Sequence, residues 1–505
     1  MENLLAEERK KSIPALPIAL QHIKKLVPVE GEKIKVDPSI SPLFPHLKSE
    51  IIRFKEGSFN FAALKVGVVL SGGQAPGGHN VICGLYKALK ELNPASSVIG
   101  FIDGPKGIID NKFKVLDDKI TADYLNSGGF DMIGSGRTKI ETPEQFQKAF
   151  ESCKTLDGLV IIGGDDSNTN AALLAEYFLS NGLKTTVVGV PKTIDGDLAN
   201  EYIETSFGFD TACKVYSEII GNILKDTLSA KKYWYFIKLM GRSASHITLE
   251  CAYQTHPNLT LIAEEEASLD SIVDKIVHLI ESRAKQGKNY GAILIPEGLI
   301  EFIPELKALI KALNKTQNPN ELTPELKKLF FSLPELIQKQ LSMDRDPHGN
   351  VQVSKIDTER FFIELVKAKV KVDWSPQPLF FGYEGRSAFP SEFDSQYCYA
   401  LGYLAALLIA HKVTGAIASI QNLKHDVKEW KIAGVPLISM MHIEERKGEK
   451  KPVIAKKLVD LKGPLYTQFK AQEVKWDDDY QTPGPIQFFG PPELVNKRTF
   501  TLDKT

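Results

Sequence analysis

The strongest constraint on the fold is a series of short apolar segments, each bounded by Gly, Pro or Asp. They lie at 65–70, 96–102, 157–162, 185–190, 233–239, 259–264 and 291–296. Segments with helical spacing of apolar residues separate most of them, among them 81–92, 170–182, 209–224 and 271–287. Continuous apolar strands that alternate with helices are typical of parallel sheets covered on both faces. The pattern predicts an α/β fold whose functional side chains follow the carboxyl ends of strands.

The length of 505 residues predicts more than one domain. We expect two doubly wound, mainly parallel sheet domains with terminal extensions. A stretch punctuated by prolines, at about 303–345, has helical spacing without a strand pattern and predicts a helical insertion in the second domain. The expected ranges are 1–60 for the N-terminal extension, 61–230 and 231–460 for the two domains, and 461–505 for the C-terminal extension, which could also pack on the first domain.

Charge and cysteine usage exclude several classes of protein. The 62 basic and 63 acidic residues leave a formal net charge of -1, which argues against binding to nucleic acid or to an anionic membrane. The five cysteines are scattered and form no CxxC pair, so we expect reduced thiols rather than disulfides or a zinc site. The longest apolar run, 400–410, is shorter than the roughly 20 residues that span a bilayer. Because the N-terminus also lacks the apolar core of a signal peptide, a cytoplasmic protein is expected.

A glycine-rich turn, "LSGGQAPGGHN" at 70–80, follows the first strand and precedes a helix. Glycines at such a turn let the backbone approach a ligand and direct free N–H groups at an anion. A plain tight turn is the alternative, but four glycines in this position favour phosphate binding. No GK[ST] follows, so the turn is not a P-loop.

Two acidic pairs also follow strand ends, in "GGDDS" and "PKTIDGD". Asp165 and Asp166 could simply cap the next helix. A cap needs one such residue, however, and one or two carboxylates together with substrate phosphates are the usual ligands of Mg²⁺. Asp195 and Asp197 could form a charged turn, or one of them could accept a proton from a hydroxyl that receives a phosphoryl group.

Several other side chains are suited to a sugar phosphate, although each alone is little more specific than an ordinary surface or loop residue. An arginine can hold a phosphate with two hydrogen bonds, and a carboxylate or a tyrosine can bind hydroxyl groups. These candidates are Arg137, Arg242, Glu297, Tyr383 and Arg386.

The motifs "SGGQAPGGHN", "GGDDS", "PKTIDGD", "MGR", "PEG" and "YEGR", in this order, resemble the phosphofructokinase family. The resemblance covers Val66 to Ile420 and implies two α/β domains with active sites between them. Within the family the chain is similar to the long, plant- and spirochete-like branch that uses pyrophosphate. It implies reversible phosphoryl transfer from pyrophosphate to the 1-hydroxyl of fructose 6-phosphate, which gives fructose 1,6-bisphosphate and phosphate.

The choice of pyrophosphate depends on two residues of this resemblance. Family members that use ATP carry Gly where this chain has Asp166, and this leaves room for the α-phosphate. A carboxylate there would fill that volume and repel its charge. Lys192, usually a small residue in ATP users, is expected to pair with Asp166 and to neutralise charge that builds up during transfer.

The resemblance also assigns roles to the matched positions. Gly73 is expected to contact pyrophosphate through its backbone, and Asp165 to bind Mg²⁺. Asp195 is the expected base for the sugar hydroxyl, with Asp197 assisting. The expected sugar-phosphate residues are Thr193, Ile194, Met240, Gly241, Arg242, Glu297, Tyr383 and Arg386.

Part of the sugar-phosphate site is expected to come from a neighbouring subunit. Lys232 and Tyr233, eight residues before "MGR", match the family positions that reach across, which implies a homodimer or a higher homo-oligomer. Two alternatives stay open. One is an ATP-dependent phosphofructokinase, and the other is a non-catalytic regulatory subunit of a hetero-oligomer, which predicts a broken motif where none is seen.

Overall fold

The structure is a computed structural model that describes residues 4–343, 351, 353–446 and 449–484. In these residues the strands are β1 Leu26–Lys33, β2 Glu50–Glu56, β3 Lys65–Leu70, β4 Ser97–Phe101, β5 Phe113–Leu116, β6 Gly158–Gly163, β7 Thr186–Thr193, β8 Phe207–Gly208, β9 Trp234–Leu239, β10 Leu259–Thr260, β11 Gly291–Pro296, β12 Pro376–Phe381, β13 Ala416–Gln421, β14 Lys431–Pro436, β15 Met441–Arg446 and β16 Glu449–Ile454.

The α-helices in the same part of the chain are α1 Leu4–Lys11, α2 Ile18–Gln21, α3 Gly78–Leu92, α4 Pro105–Ile109, α5 Asp118–Tyr124, α6 Pro143–Cys153, α7 Asp165–Ser180, α8 Phe209–Ala230, α9 His246–Thr255, α10 Leu269–Lys285, α11 Leu299–Phe302, α12 Pro304–Thr316, α13 Pro324–Ser332, α14 Glu335–Met343, α15 Thr358–Lys367, α16 Tyr383–Arg386, α17 Glu392–Ala410 and α18 Pro464–Glu473. None of these helices combines the length and apolarity needed to cross a membrane.

The chain divides into two compact units. The first holds the described residues of 1–212 and 386–457, and the second holds those of 213–385 and 458–486. Strands alternate with helices in both units, so the predicted α/β fold is confirmed.

The first unit is built on a large sheet of strand order β1-β2-β14-β13-β7-β6-β3-β4-β5, with β8 added beside β7. From β13 to β4 all neighbours are parallel, and the outer pairs are antiparallel. Strand β6 is buried along its whole length, and β3 and β7 along nearly all of theirs. Burial on both faces explains why these strands read as continuous apolar runs. Their carboxyl ends share one edge of the sheet, and the acidic and glycine-rich motifs follow there.

The N-terminal extension supplies the outermost strands of this sheet. Strands β1 and β2 pair with each other, and β2 joins β14 where Ile52 faces Gly434. The predicted extension 1–60 thus lies against the first unit, except that residues 1–3 fall outside the described part of the chain.

The second unit has a smaller sheet of order β10-β11-β9-β12, in which all pairs are parallel. Strand β12 carries Pro376 and Pro378, which an edge strand tolerates because one row of its N–H groups is unpaired. The helices α12 to α14 form the predicted helical insertion, and their apolar residues share one core with Trp234 and Phe236 of β9. Residues 344 and 345 of the predicted insertion lie outside the described residues.

The structure corrects the predicted ranges for residues 386–457, which had been placed in the second domain. They belong to the first unit, because β13 pairs in parallel with β7, with Ala416 opposite Val188. The prediction had no means of finding this return of the chain, since β13 follows β7 by more than 200 residues.

Two further segments belong to the second unit. Most of α8 does so, because Tyr216 donates to the carbonyl of Gly382 at 2.6 Å and Lys225 Nζ to that of Tyr480 at 3.0 Å. The described part of the C-terminal extension also packs there and not on the first domain, since Gln481 N donates to Thr255 O at 3.0 Å. Residues 485–505 of that extension lie outside the described residues.

Candidate functional site

The glycine-rich turn after β3 is held open by its backbone conformation. Gly72 has φ +88, in the left-handed region that favours glycine. Its N–H donates to the carbonyl of Gly136 at 2.9 Å, and Ser71 forms a parallel bridge with Gly136. These contacts bring the loop that carries Arg137 beside the turn.

Three cationic side chains surround Gly73 within the first unit. Lys192 Nζ donates to the carbonyl of Gly73 at 2.7 Å. The position that a Cβ would take at Gly73 is 3.6 Å from Arg137 Nη2 and 3.6 Å from Arg386 Nη1. Two guanidinium groups and an ammonium at one glycine make a site suited to phosphate oxygens. Arg386, expected among the sugar-phosphate residues, therefore lies at the glycine-rich turn.

Lys192 is buried at the end of β7, with 6% of its surface exposed. The pKa of Lys192 is lowered to about 8, chiefly by burial and also by Arg137, while Asp195, Asp165 and Asp197 oppose the shift. At pH 7 the ammonium form still predominates, so the side chain can neutralise an anion at Gly73.

The turn after β7 positions the second acidic pair. Strand β8 pairs with the end of β7, Phe207 opposite Lys192 and Gly208 opposite Thr193. Asp195 N donates to Thr193 Oγ1 at 3.1 Å, which fixes the start of the turn. Ile194 is buried at 6% exposure, whereas Asp195 is only partly buried. The carboxylate of Asp195 is thus near Lys192 and remains accessible to a substrate.

The first turn of α7 carries the other acidic pair. Ser167 Oγ donates to Ser71 Oγ at 2.8 Å and so ties this turn to the glycine-rich turn. Lys456 Nζ lies 3.6 Å from Asp165 Oδ2 and 3.8 Å from Asp197 Oδ2. Asp165 and Asp197 therefore face one another across a single ammonium group.

Asp166 makes an ion pair with Lys139, whose Nζ is 3.0 Å from Asp166 Oδ1. The sequence had led us to expect Lys192 as the partner of Asp166. The hydrogen bond of Lys192 described above goes to Gly73, so the pairing of Lys192 with Asp166 stays a prediction.

The second unit holds a separate group of predicted residues after β9. Glu297 is buried at 4% exposure, and its Oε2 accepts the N–H of Gly241 at 3.2 Å. Burial raises the pKa of Glu297 above its ordinary value, while the hydrogen bond from Gly241 opposes that shift. A Cβ at Gly298 would lie 1.9 Å from the carbonyl of Arg242, so only glycine fits there. The turns after β9 and β11 are thus locked together, and Arg242 is exposed beside them.

The remaining predicted residues of this unit lie at opposite ends of its sheet. Met240 N donates to Phe381 O at 3.0 Å, which joins the end of β9 to that of β12. Tyr383 follows β12 and is 62% exposed. Lys232 and Tyr233 precede β9, and Lys232 Nζ lies 5.3 Å from the centroid of the Tyr233 ring. A strand rises about 3.3 Å per residue, so this pair is roughly 25 Å from Met240 at the other end of β9.

Comparisons with known proteins identify the family to which this chain belongs. The family model described as "Phosphofructokinase" matches residues 65–409. The chain belongs to the phosphofructokinase family. The matched range agrees with the resemblance inferred from the motifs, which ran from Val66 to Ile420.

Three relatives within the phosphofructokinase family have names that refer to the same activity. The chain is 49% identical to "Pyrophosphate–fructose 6-phosphate 1-phosphotransferase" of Porphyromonas gingivalis, over 97% of this chain and 96% of that relative. It is 51% identical to the protein of that name from Treponema pallidum, over 87% of this chain and 83% of the relative. It is 51% identical to the subunit beta of the protein so named in Solanum tuberosum, over 87% and 82%.

A solved structure supports the phosphofructokinase fold. The pyrophosphate-dependent phosphofructokinase of Nitrosospira multiformis matches with a TM-score of 0.59 and 16% identity, over 82% of this chain and 92% of that one. At this identity the match bears on the fold alone.

The donor set at Asp165 and Asp197 fits a hard divalent cation. The part of the chain that the structure describes contains no group of three or more His, Cys, Asp or Glu side chains suited to a metal. Mg²⁺ does not need one, because it commonly binds one or two carboxylates and takes its other ligands from water and substrate phosphates. Asp165 is 21% exposed and Asp197 is 7% exposed at the side chain, so Asp165 is the more accessible of the two carboxylates.

Two site residues of this phosphofructokinase were missed from the sequence. Lys139 lies two residues after Arg137, so the loop already singled out contained its signal. Lys456 follows β16, almost 260 residues beyond Asp197, within a lysine-rich segment that carries no motif. Only the packing of the hairpin β15–β16 brings Lys456 to the acidic pair.

Proposed function

We propose that this chain transfers a phosphoryl group reversibly from pyrophosphate to the 1-hydroxyl of fructose 6-phosphate. The observation that carries the proposal is the convergence of Lys192, Arg137 and Arg386 on Gly73, with the carboxylate of Asp195 close to Lys192. Cations bind the phosphates, and an accessible carboxylate beside them can take the hydroxyl proton. The names of the close relatives support the same reaction.

The proposed mechanism assigns each group one task. The backbone of Gly73 and the three cations hold pyrophosphate, and Asp195 accepts the proton as the sugar hydroxyl attacks. Asp197, buried beside this turn, supports the charge balance of the site. Mg²⁺, when bound by Asp165 with the help of Asp197, would neutralise phosphate charge. Fixed positive groups that match the charge of the transition state supply much of the acceleration.

The proposed selectivity for pyrophosphate depends on Asp166. Its carboxylate stands at the first turn of α7, next to Asp165, and is held by Lys139 at 3.0 Å. The α-phosphate of ATP, if it extended to this turn, would meet the negative charge of Asp166, which is already fixed in place. The double variant Asp166→Gly, Lys192→Gly is expected to relax the rejection of ATP. Full selectivity for pyrophosphate in this variant would contradict the role given to the two residues.

The donor assay tests the function directly. Formation of fructose 1,6-bisphosphate is followed with a linked-enzyme assay, with pyrophosphate or ATP at equal concentration and Mg²⁺ present. We expect activity with pyrophosphate and little or none with ATP. Activity with ATP alone would identify an ATP-dependent enzyme. A folded chain that is inactive with both donors would identify a regulatory subunit.

We further propose a homodimer or higher homo-oligomer in which Lys232 and Tyr233 complete the sugar-phosphate site of a neighbouring copy. The support is their position at the amino end of β9, roughly 25 Å from Met240. Proposed sugar-phosphate residues of the same chain are Arg242, Glu297 and Tyr383.

Subunit mixing tests the shared site. Asp195→Asn and Lys232→Ala proteins, each nearly inactive, are mixed and allowed to exchange subunits. Hybrid dimers place both changes in one site and leave the other intact, so activity should rise to about a quarter of the wild-type value. If the exchanged mixture stays inactive, each site is built from one chain.

The cytoplasm is the proposed location. All five cysteines are buried and unbonded, as expected of reduced thiols. Fractionation of cells that express the chain checks this, and recovery with secreted proteins would contradict it.

A further inference from the structure

The segment after the hairpin β15–β16 is anchored to the first unit through its backbone. Ile454 N donates to Thr169 Oγ1 at 3.0 Å, Ala455 N to Met440 O at 2.9 Å, and Lys457 N to Asp197 O at 2.7 Å. These three hydrogen bonds flank Lys456 on both sides. The backbone is therefore held without help from the Lys456 side chain.

The Lys456 side chain extends from this fixed backbone to the two acidic motifs. Its Nζ lies 3.6 Å from Asp165 and 3.8 Å from Asp197, distances of an ion pair rather than of a good hydrogen bond. The side chain of Lys456 is 29% exposed, so solvent and small ions reach it. A lysine ammonium is a compact charge on a flexible stem, and it can change partners at little cost.

The charge balance of the site explains what this lysine can do. Without a metal ion, the ammonium compensates two carboxylates that face each other. A divalent cation held by Asp165 would supply that compensation, and the ammonium of Lys456 would then be available to the phosphate oxygens of the donor. Lysine is a common ligand of phosphate in proteins.

We propose that Lys456 is a phosphate-binding residue for the pyrophosphate donor, held between Asp165 and Asp197 until the donor and its metal bind. The inference rests on the proposed function and adds a residue from the C-terminal part of the chain to the donor site. In this arrangement Lys456 competes with the metal for the carboxylates when pyrophosphate is absent, and it binds alongside the metal when pyrophosphate is present.

The test compares Lys456→Met and Lys456→Arg with Lys450→Met, which removes the same charge from an exposed position on the same hairpin. Binding of magnesium pyrophosphate is measured by titration calorimetry without the sugar, so that no transfer occurs. We expect Lys456→Met to weaken binding about tenfold, as loss of one charged contact does, and Lys456→Arg to restore most of it. Lys450→Met should match the wild type.

Two further measurements separate binding from structure. Mn²⁺ alone, followed by its paramagnetic relaxation of water, should bind Lys456→Met more tightly than the wild type, because the competing ammonium is gone. The dissociation constant of fructose 6-phosphate should not change. Should Lys456→Met not fold, Lys456→Gln takes its place in the same measurements.

The outcomes distinguish this inference from the function on which it rests. If the wild type turns over pyrophosphate and Lys456→Met binds it equally well, the role of Lys456 is wrong and the function stands. Equal loss of affinity for both substrates with a lowered melting temperature, not restored by arginine, would show a structural role and overturn the inference. A wild type that does not bind pyrophosphate overturns both.

Discussion

The turn at Gly73 in the first unit and the turn at Gly241 in the second are built in opposite ways. Both follow a buried parallel strand, and both contain a glycine with positive φ. Gly73 is surrounded by charged side chains from three distant segments, Arg137, Lys192 and Arg386. Gly241 is held by one buried carboxylate, that of Glu297, and by close backbone contact.

The difference corresponds to two tasks. A site that moves a highly charged group needs cations fixed in advance, because their reorganisation during the reaction would raise the barrier. A site that recognises a sugar phosphate can keep its binding groups exposed on a rigid backbone, and the proposed sugar-phosphate residues Arg242 and Tyr383 are both exposed. We therefore expect changes at the first turn to act on the rate, and changes at the second to act on affinity for the sugar.

The largest effect is expected for Asp195→Asn, which removes the proposed base but keeps the shape of the turn. The turnover number should fall by about 10³-fold, the usual contribution of a general base. Affinity for fructose 6-phosphate, measured by calorimetry, should stay within a few-fold of the wild-type value.

The control is Asp123→Asn, which makes the same change of side chain at an exposed position on α5 and should leave turnover unchanged. Wild-type turnover in Asp195→Asn would show that another group takes the proton. A large loss of affinity for fructose 6-phosphate in Asp195→Asn would show that the first unit also determines sugar binding, contrary to the proposed difference between the two turns.

The next effect is expected for Glu297→Ala. The change leaves the buried N–H of Gly241 without its acceptor, at a cost of about 1–3 kcal/mol. The KM for fructose 6-phosphate should rise about tenfold or more, and the affinity for pyrophosphate should not change.

Glu297→Gln keeps an acceptor for Gly241 and removes only the charge. It should retain the stability of the wild type and lose part of the sugar affinity. If Glu297→Ala weakens pyrophosphate binding as strongly as sugar binding, the comparison between the two turns does not hold.

The next prediction is that kcat/KM for pyrophosphate depends on pH near pH 8, whereas kcat/KM for fructose 6-phosphate does not. Because the pKa of Lys192 is lowered to about 8, its ammonium loses a proton as the pH rises through that value. The ratio kcat/KM for pyrophosphate should therefore be level below pH 8 and fall by up to about tenfold per pH unit above it. The ratio for fructose 6-phosphate, at saturating pyrophosphate, should stay level further into the alkaline range, because a bound anion holds the proton on Lys192.

If kcat/KM for both substrates fell at the same alkaline pH, the ionisation that causes the fall would belong to a group other than Lys192. Sugar and donor profiles recorded in the same buffers, corrected for the ionisation of pyrophosphate itself, make the comparison valid.

The smallest effect is expected for Tyr383→Phe. The side chain is 62% exposed, so loss of its hydroxyl removes at most one hydrogen bond to the sugar phosphate, about 1 kcal/mol. The KM for fructose 6-phosphate should rise a few-fold with no change in turnover. A fall in turnover without a change in KM would place Tyr383 among the groups that act on the transition state.

Much of the central architecture was predictable because strands buried on both faces have continuous apolar sequences. Strands β3 and β11 have the predicted bounds, 65–70 and 291–296, since both are buried and flanked by clear breaks. Edge strands carry weaker patterns. Strand β12 contains two prolines and only partly buried residues until Phe381, and the sequence analysis did not identify it.

The site divides in the same way. Asp165 and Asp195 could be singled out as candidates because they follow strands with clear sequence patterns, and Lys192 because it lies at the end of such a strand. Lys456 and the position of Arg386 beside Gly73 depend on contacts between segments far apart in the chain. No local pattern reports which lysine of a basic segment will reach a carboxylate.

The position of the hairpin β15–β16 late in the chain affects how one decides whether a gene of this family encodes a working enzyme. A stop codon directly after Ile454 would leave all six motifs unaltered, since the last of them ends at Arg386. Such a gene would pass a motif scan, yet its product would lack both the ammonium beside Asp165 and the backbone hydrogen bond to Asp197. We therefore expect an intact reading frame through residue 457 to be a better criterion of a working copy than the motifs alone.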